Sequence, residues 1–242
     1  MIQEEDAPKN SNMTSIIIPA HKEKDNLRSL ISELSGLKNI ETSEIIVALS
    51  PESNYDPNAE SKKGLRFLKC TKKGRATQMN EASRIAKGDI LVFLHADVKP
   101  PKSFLHDIQR TIKDGYDAGF FSYKFDKENF FLKINASFTG KDSIFTGGGD
   151  QCLFIRKEVF ENLGRFSEEQ VLMEDFEFFK RMKKNKVPYN IVQNDLIVSA
   201  RKYENNSYVR VNLSNLLLVT LFKLGYPGKK LKYLHDRLLR VS

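Results

Sequence analysis

The sequence predicts an α/β protein: a doubly wound, mostly parallel sheet flanked by helices. Three observations carry this. From Thr14 to Ile112, short apolar runs alternate with segments of helical periodicity, the rhythm of strand–helix–strand units. The run Ile90-Leu91-Val92-Phe93-Leu94 is uniformly apolar, which suits a strand covered on both faces at the centre of a parallel sheet. That run ends in His95-Ala96-Asp97, and in open α/β sheets ligands sit outside the carboxyl ends of the strands.

Each element follows in order. Thr14 to Pro19 reads as a first buried strand. Asp25 can cap a helix with Leu27, Leu30, Ile31, Leu34 and Leu37 at helical spacing and Gly36 near its end. Glu44 to Leu49 is a second strand, and Ser50 to Lys63, polar and with two prolines, is a loop. Leu65 to Cys70 is a third strand, and Gly74 opens a helix that runs toward Gly88. After the central strand, stopped by Pro100-Pro101, comes a helix with Phe104, Ile108 and Ile112. The pattern then loosens. Asp117 to Phe125 is extended and half-buried, and Phe130, Phe131, Ile134 and Phe138 suit an aromatic-faced helix. Thr146 to Asp150 is a hinge or ligand loop, Gln151 to Ile155 a strand, Lys157 to Gly164 a short helix, Glu174 to Asn185 a longer one, and Tyr189 to Ala200 extended. Arg210 to Leu224 and Lys229 to Arg240 form a helical tail.

The 242 residues, 40% of them hydrophobic, suffice for one large α/β domain. Residues 1–13, acidic at Glu4, Glu5 and Asp6, read as a flexible tail rather than a signal peptide. Residues 14–204 form the main domain and 205–242 a helical extension. Cys70 and Cys152 lack metal-ligand spacing and read as buried thiols of a reducing, cytoplasmic compartment. No apolar run reaches the ~18 residues of a membrane span. The net charge of +8 points to an anionic partner. Nucleic acid is disfavoured, because no nucleic-acid motif accompanies the charge.

Four polar features can carry chemistry. The first strand ends in Pro19-Ala20-His21-Lys22-Glu23. Gly74-Arg75-Ala76-Thr77-Gln78-Met79-Asn80 places a basic residue at a helix N-terminus, a good anion site. The central strand ends in His95-Ala96-Asp97, and Leu172-Met173-Glu174-Asp175 sets two carboxylates at the mouth of a late helix. By themselves, these acids could equally be helix-favouring charges, and Arg75 a solvated cation.

Together and in this order, the four features resemble the inverting glycosyltransferases of family 2, over about residues 14 to 204. Gly149-Asp150-Gln151 and Ser199-Ala200-Arg201 extend the likeness to a bacterial subgroup of cytoplasmic enzymes, some linked to arsenosugar synthesis. The resemblance implies a GT-A fold and metal-assisted single displacement of a sugar from a nucleotide-sugar donor to an acceptor hydroxyl. His95-Ala96-Asp97 stands where the family has its DXD motif. Asp97, and His95 in place of the first carboxylate, would hold Mg2+ or Mn2+. Asp175 would be the catalytic base and Glu174 its orienting partner. Pro19, Ala20, Glu23, Ser50, Arg75, His95, Ala96 and Asp97 would meet the donor. Gly149, Asp150, Gln151 and Arg201 would lie by the acceptor or donor sugar. His21, His106 and His235, without partners at metal spacing, read as structural.

One departure stands out. Ser50 occupies the place of the acid that usually holds the uracil or ribose, which puts uridine specificity in question. Two alternatives stay open on the residues: a non-catalytic nucleotide-sugar-binding protein and a nucleotidyltransferase. The latter is disfavoured, since its glycine-rich loop should follow the first strand. The basic, amphipathic tail can lie on an anionic membrane. Packing on the protein itself or on a second copy, as a homodimer, is the preferred reading.

Overall fold

The computed structural model describes residues 13–21, 24–57, 60 and 62–239. Residues 1–12 of the expected N-terminal tail and Glu23 of the expected donor site lie outside them.

The parallel half assembles as the apolar runs dictate. β1 (Thr14–Ala20) buries Ile16 and Ile18 toward one face of the sheet and Ile17 toward the other. β2 (Ser43–Leu49) pairs with it in parallel from Thr14 opposite Ser43 to Ala20 opposite Leu49, and β3 (Leu65–Lys69) extends the sheet. Between β1 and β2 runs α1 (Lys24–Ser35), whose Leu27, Leu30, Ile31 and Leu34 form its buried stripe. Asp25 sits inside its first turn rather than at its cap, where a carboxylate still favours the positive end of the helix. α2 (Arg75–Ile85) follows β3. Its N-cap Gly74 has φ 135°, a backbone conformation open to glycine and strained for other residues.

β4 (Ile90–Phe93) pairs in parallel with β1 on one side only. Its other neighbour, β7 (Phe154–Arg156), is antiparallel, so within the mostly parallel sheet the Ile90 run has a parallel neighbour on one side and not, as expected, on both. The physical reason is the path of the chain. After the short β5 (Val98–Lys99), not anticipated from sequence, come α3 (Phe104–Lys113), β6 (Ala118–Phe125) and α4 (Phe130–Ser137). The glycine loop that follows delivers β7 from the carboxyl end of β4. An antiparallel β7 therefore begins beside His95-Ala96-Asp97, the place where a site is built. Gln151 belongs to a 3-10 turn (Gly149–Gln151) rather than to the strand.

α5 (Lys157–Asn162), α6 (Glu174–Lys184), β8 (Tyr189–Val198), α7 (Arg201–Glu204), α8 (Tyr208–Lys223) and α9 (Gly228–Leu238) complete the chain. The short α7 follows the expected extended segment, at residues to which the sequence assigned no element. The eight strands order as β3-β2-β1-β4-β7-β6-β8-β5, with β6 and β8 parallel. One core cluster joins α1 and α3 to the sheet face carrying Ile16 and Ile18. The other joins α2, α5 and α6 to the face carrying Ile17 and Leu91. On that second face Phe93 of β4 meets Phe160 and Phe166 at ring separations of 4.9 Å, and Phe178 of α6 meets the same two at 5.1 Å. This cluster locks the strand that ends in His95-Ala96-Asp97 to the helix that begins with Glu174-Asp175.

The polar residues of α2 fix the same region. Gln78 is buried, and its amide donates to the carbonyls of Ala20 at 2.9 Å and Ala48 at 2.6 Å, tying together the ends of β1 and β2. Asn80 takes Phe166 N–H at 3.1 Å and donates to Phe166 C=O at 2.9 Å. Gln78→Ala strips two buried carbonyls of a donor, and the expected loss is about 1–3 kcal/mol. A urea titration checks it; an unchanged midpoint would mean that other donors suffice.

Candidate active site

Three elements converge at the carboxyl end of β4. The strand itself delivers His95, nearly buried, and Asp97, exposed. The turn before β7 delivers Gly149 and Asp150. The first turn of α6 delivers Glu174 and Asp175, both buried, after Met173 adopts a left-handed φ of 64° to aim the helix. Arg75 at the start of α2 closes the group, its guanidinium 3.4 Å from Glu174 Oε1 and about half exposed.

Gly149 is the tightest point. A Cβ there would stand 2.6 Å from His95 Nε2 and 2.7 Å from Asp175 Oδ2. His95 and Asp175 thus flank one backbone position, and only glycine leaves room for both. On its other side, His95 Nδ1 lies 3.9 Å from Asp150 Oδ1.

Burial and charge set the protonation states. Burial, with the nearby Arg75 cation, pushes His95 well below its usual range, so its imidazole is neutral. Burial, then repulsion from Glu174 and Asp150 against the attraction of Arg75, raises Asp175 well above the ordinary carboxylate range. Asp150, although its side chain is half exposed, is raised by desolvation among the cleft groups and by Asp97, with Lys202 and Arg75 opposing. For Arg75, desolvation of its half-exposed side chain among the cleft groups lowers the pKa, but Glu174, Asp175, Asp150 and Asp97 more than offset it, and the guanidinium is held more firmly charged. The cleft is therefore a set of carboxylates around one arginine. A dianionic diphosphate enters such a place readily only with cationic help.

Among the described residues no group of three or more His, Cys, Asp or Glu forms a ready-made metal site. What the chain offers a hard cation is the exposed Asp97 carboxylate and the neutral His95 ring. That sparse set suits Mg2+ or Mn2+, which bind through one or two carboxylates and take their other oxygens from phosphate and water.

The remaining sequence-predicted residues are placed as follows. Gln151 is buried and pins the glycine loop, accepting from Gly147 N–H at 2.9 Å and donating to Thr139 C=O at 2.9 Å. Ala96 is buried behind His95, and Pro19 and Ala20 end β1, with Ala20 C=O accepting from Ser50 N–H at 2.9 Å. Ser50 is fully buried and shares a 2.6 Å hydrogen bond with Nδ1 of the half-buried His21. Arg201 is exposed at the start of α7.

The sequence model of Glycosyl transferase family 2 matches residues 15–186, well over half of the chain. The chain belongs to that family. A curated relative, the dolichol-phosphate mannosyltransferase of Pyrococcus furiosus, is 30% identical over 108 residues, which are 43% of this chain and 31% of that protein. The match thus spans about a third of that relative's length. Among solved structures, the mannosyltransferase PcManGT of Pyrobaculum calidifontis, in complex with GDP-Man and Mn2+, superposes with a TM-score of 0.65 at 16% identity, covering 93% of this chain and 69% of that one. TarS 1–349 of S. aureus in complex with UDP gives a TM-score of 0.62 at 15% identity, covering 93% and 70%. The fold of this member of family 2 is accordingly GT-A.

From the sequence, Lys202, like Arg201, reads either as a cation that reaches back to the diphosphate or as surface charge. Its ammonium donates to Asn215 Oδ1 at 3.1 Å, and it is the cation beyond Arg75 that Asp150 feels. Although the residue is exposed at the surface, partial desolvation of its ammonium lowers its pKa, with Asp150 opposing. The sequence does not separate the two cations; the fold sets Lys202 near Asp150 and leaves Arg201 exposed. The link from His21 to Ser50 was equally out of reach, because 29 residues separate them.

Proposed function

We propose that this family 2 glycosyltransferase moves a sugar, a hexose or a close relative, from a nucleotide diphosphate donor to an acceptor hydroxyl by single displacement with inversion. The observation that supports this most is Asp175: a buried carboxylate of raised proton affinity in the same cleft as Asp97, separated from the His95 ring only by the Gly149 backbone. In this reading Asp175 takes the acceptor proton as the hydroxyl attacks the anomeric carbon. Glu174, paired with Arg75, keeps that arginine directed into the cleft. Asp97, with His95, would hold Mg2+ or Mn2+, which when bound neutralises charge on the departing diphosphate. Asp150 and Lys202 flank the sugar and diphosphate positions, and Arg201 lies at the outer rim. Ser50 reaches the base side through His21 in place of an acid.

The relatives named above support a nucleotide-sugar donor without naming it: one is in complex with GDP-Man, another with UDP. The motif resemblance supports a kinship with the bacterial, cytoplasmic subgroup linked to arsenosugar synthesis. A panel of sugar nucleotides, with and without Mn2+, is the test. Release of nucleoside diphosphate with one donor, and an acceptor product of inverted anomeric configuration, is expected. A chain that binds donors yet never turns them over would instead be a binding protein of this fold.

Asp97→Asn is expected to lose most Mn2+-dependent donor binding while the fold survives, because Asp97 is exposed and no core contact depends on it. Calorimetric titration with the donor identified above, with and without Mn2+, measures this. Wild-type affinity in the variant would move the metal elsewhere.

A further inference from the structure

The second half of the chain carries an apolar face that the fold leaves uncovered. α8 buries Val211, Leu218 and Val219 against the protein. Its opposite stripe, Val209, Leu213, Leu216, Leu217 and Leu224, faces solvent, with Leu213 61% and Leu217 43% exposed. Packing on the protein thus accounts for one side of this helix and not the other. α4 lies alongside. Its Asn135 donates to Asn212 Oδ1 at 3.0 Å and accepts from the Tyr208 hydroxyl at 2.7 Å, and the Phe131 ring packs on Tyr208 at 4.9 Å. α4 in turn exposes Phe130, Phe131, Ile134 and Phe138, Phe130 by 72%. The two stripes therefore adjoin, and a contiguous apolar surface of this kind on a water-facing protein marks an interaction site.

Charge identifies the occupant. Residues 205–239 contain Arg210, Lys223, Lys229, Lys230, Lys232 and Arg237 against a single acid, Asp236, which Lys232 pairs at 2.6 Å. Tyr226 and Tyr233 are exposed on the same tail, with Lys230 and Arg237 over their rings. A second copy seated on this face would oppose two basic tails. An anionic bilayer would meet the apolar stripe with its acyl boundary, the tyrosines at headgroup level and the cations with lipid phosphate. No helix among the described residues is long and apolar enough to cross a membrane, so the contact is in the plane of the interface. We propose that the α4–α8 face, rimmed by the basic α9, seats this protein on the surface of an anionic membrane, against the packing or dimer contact expected from sequence alone. This inference does not rest on the transferase reading.

The test uses the full chain and sedimented vesicles of phosphatidylcholine alone or mixed with phosphatidylglycerol, at physiological salt. Binding to the mixed vesicles and little to phosphatidylcholine is expected. Leu213→Glu/Leu217→Glu should weaken it at least about tenfold at unchanged melting temperature, since both positions are already in water in the free protein. Lys229→Glu/Lys230→Glu should weaken it and flatten its salt dependence. The chain has no tryptophan, so Leu213→Trp supplies a lone reporter, expected to shift its emission to the blue on mixed vesicles. The proposal is overturned by failure to bind mixed vesicles, by undiminished binding of Leu213→Glu/Leu217→Glu, or by an unmoved tryptophan. A wild-type dimer that the double glutamate variant splits, with no vesicle binding, would give the face to a second copy and overturn it as well.

Discussion

Asp175→Asn is expected to bind donor nearly as well as the wild type and to transfer sugar about 100-fold more slowly or worse, the usual worth of a positioned general base. The substitution keeps shape and volume, so the first turn of α6 and the phenylalanine cluster beneath it stay in place. What goes is the proton acceptor. Burial, reinforced by Glu174 and Asp150 over the pull of Arg75, raises the Asp175 pKa. Rate in the wild type should therefore fall with decreasing pH above the ordinary aspartate range near ~3.9, and that limb should vanish in the Asp175→Asn variant. Stability carries an independent signature with a defined sign. A carboxylate whose pKa is raised by folding favours the native state below its unfolded pKa and loses that contribution as pH rises through the folded value. Asp175→Asn should thus melt higher than the wild type at neutral pH, the difference closing as pH drops toward the unfolded value. Steady-state rates and melting curves across pH measure both effects. Undiminished turnover would take the role from Asp175, and Glu174, whose buried Oε1 has only the 3.4 Å contact with Arg75, would be the next residue to replace.

Much of this arrangement was legible because burial writes itself into apolar runs. The strand at Ile90 was plain, and so was the late helix carrying Glu174-Asp175, because in both cases local pattern and final packing agree. The antiparallel direction of β7 was not, since a three-residue strand with two buried side chains carries no direction. Nor could sequence tell which polar groups of the Gly74–Asn80 segment face a ligand. Gln78 and Asn80 turn inward to hold carbonyls of β1, β2 and Phe166, and Arg75 alone of the polar side chains there reaches Glu174. A helix N-terminus rich in polar residues reads the same whether they bind anions or the backbone. The tail shows the same limit from the apolar side. The breadth of the α8 face said that something must cover it, while the choice of cover depended on α4, some 70 residues earlier in the chain, where Asn135 joins Asn212.

Gly149→Ala is expected to abolish most activity while leaving a folded protein, and to do so without replacing an ionisable residue. The added methyl would press on the His95 ring and stand 2.7 Å from Asp175 Oδ2, closer than real Cβ atoms come. Neither neighbour can yield freely. His95 follows directly on the fully buried Leu94, just past the end of β4, and Asp175 is fixed to the helix that Phe178 anchors. The strain must therefore appear as a displacement of one or both by several tenths of an ångström or more. Misplacing a reacting group by about 1 Å costs on the order of 100-fold in rate. Overpacking of this kind costs about 1–3 kcal/mol of stability, a lower melting point but not an unfolded chain at room temperature. The outcome separates two roles for the glycine loop. If Gly149 merely lets the loop turn, alanine should be tolerated, because its φ does not lie in the left-handed region. If it holds the metal side and the base side of the cleft at a fixed separation, transfer should fall steeply while donor binding through Asp97 weakens far less. Full activity in Gly149→Ala would mean that His95 and Asp175 need not face each other across this backbone, and the geometry assigned to the site would have to be abandoned.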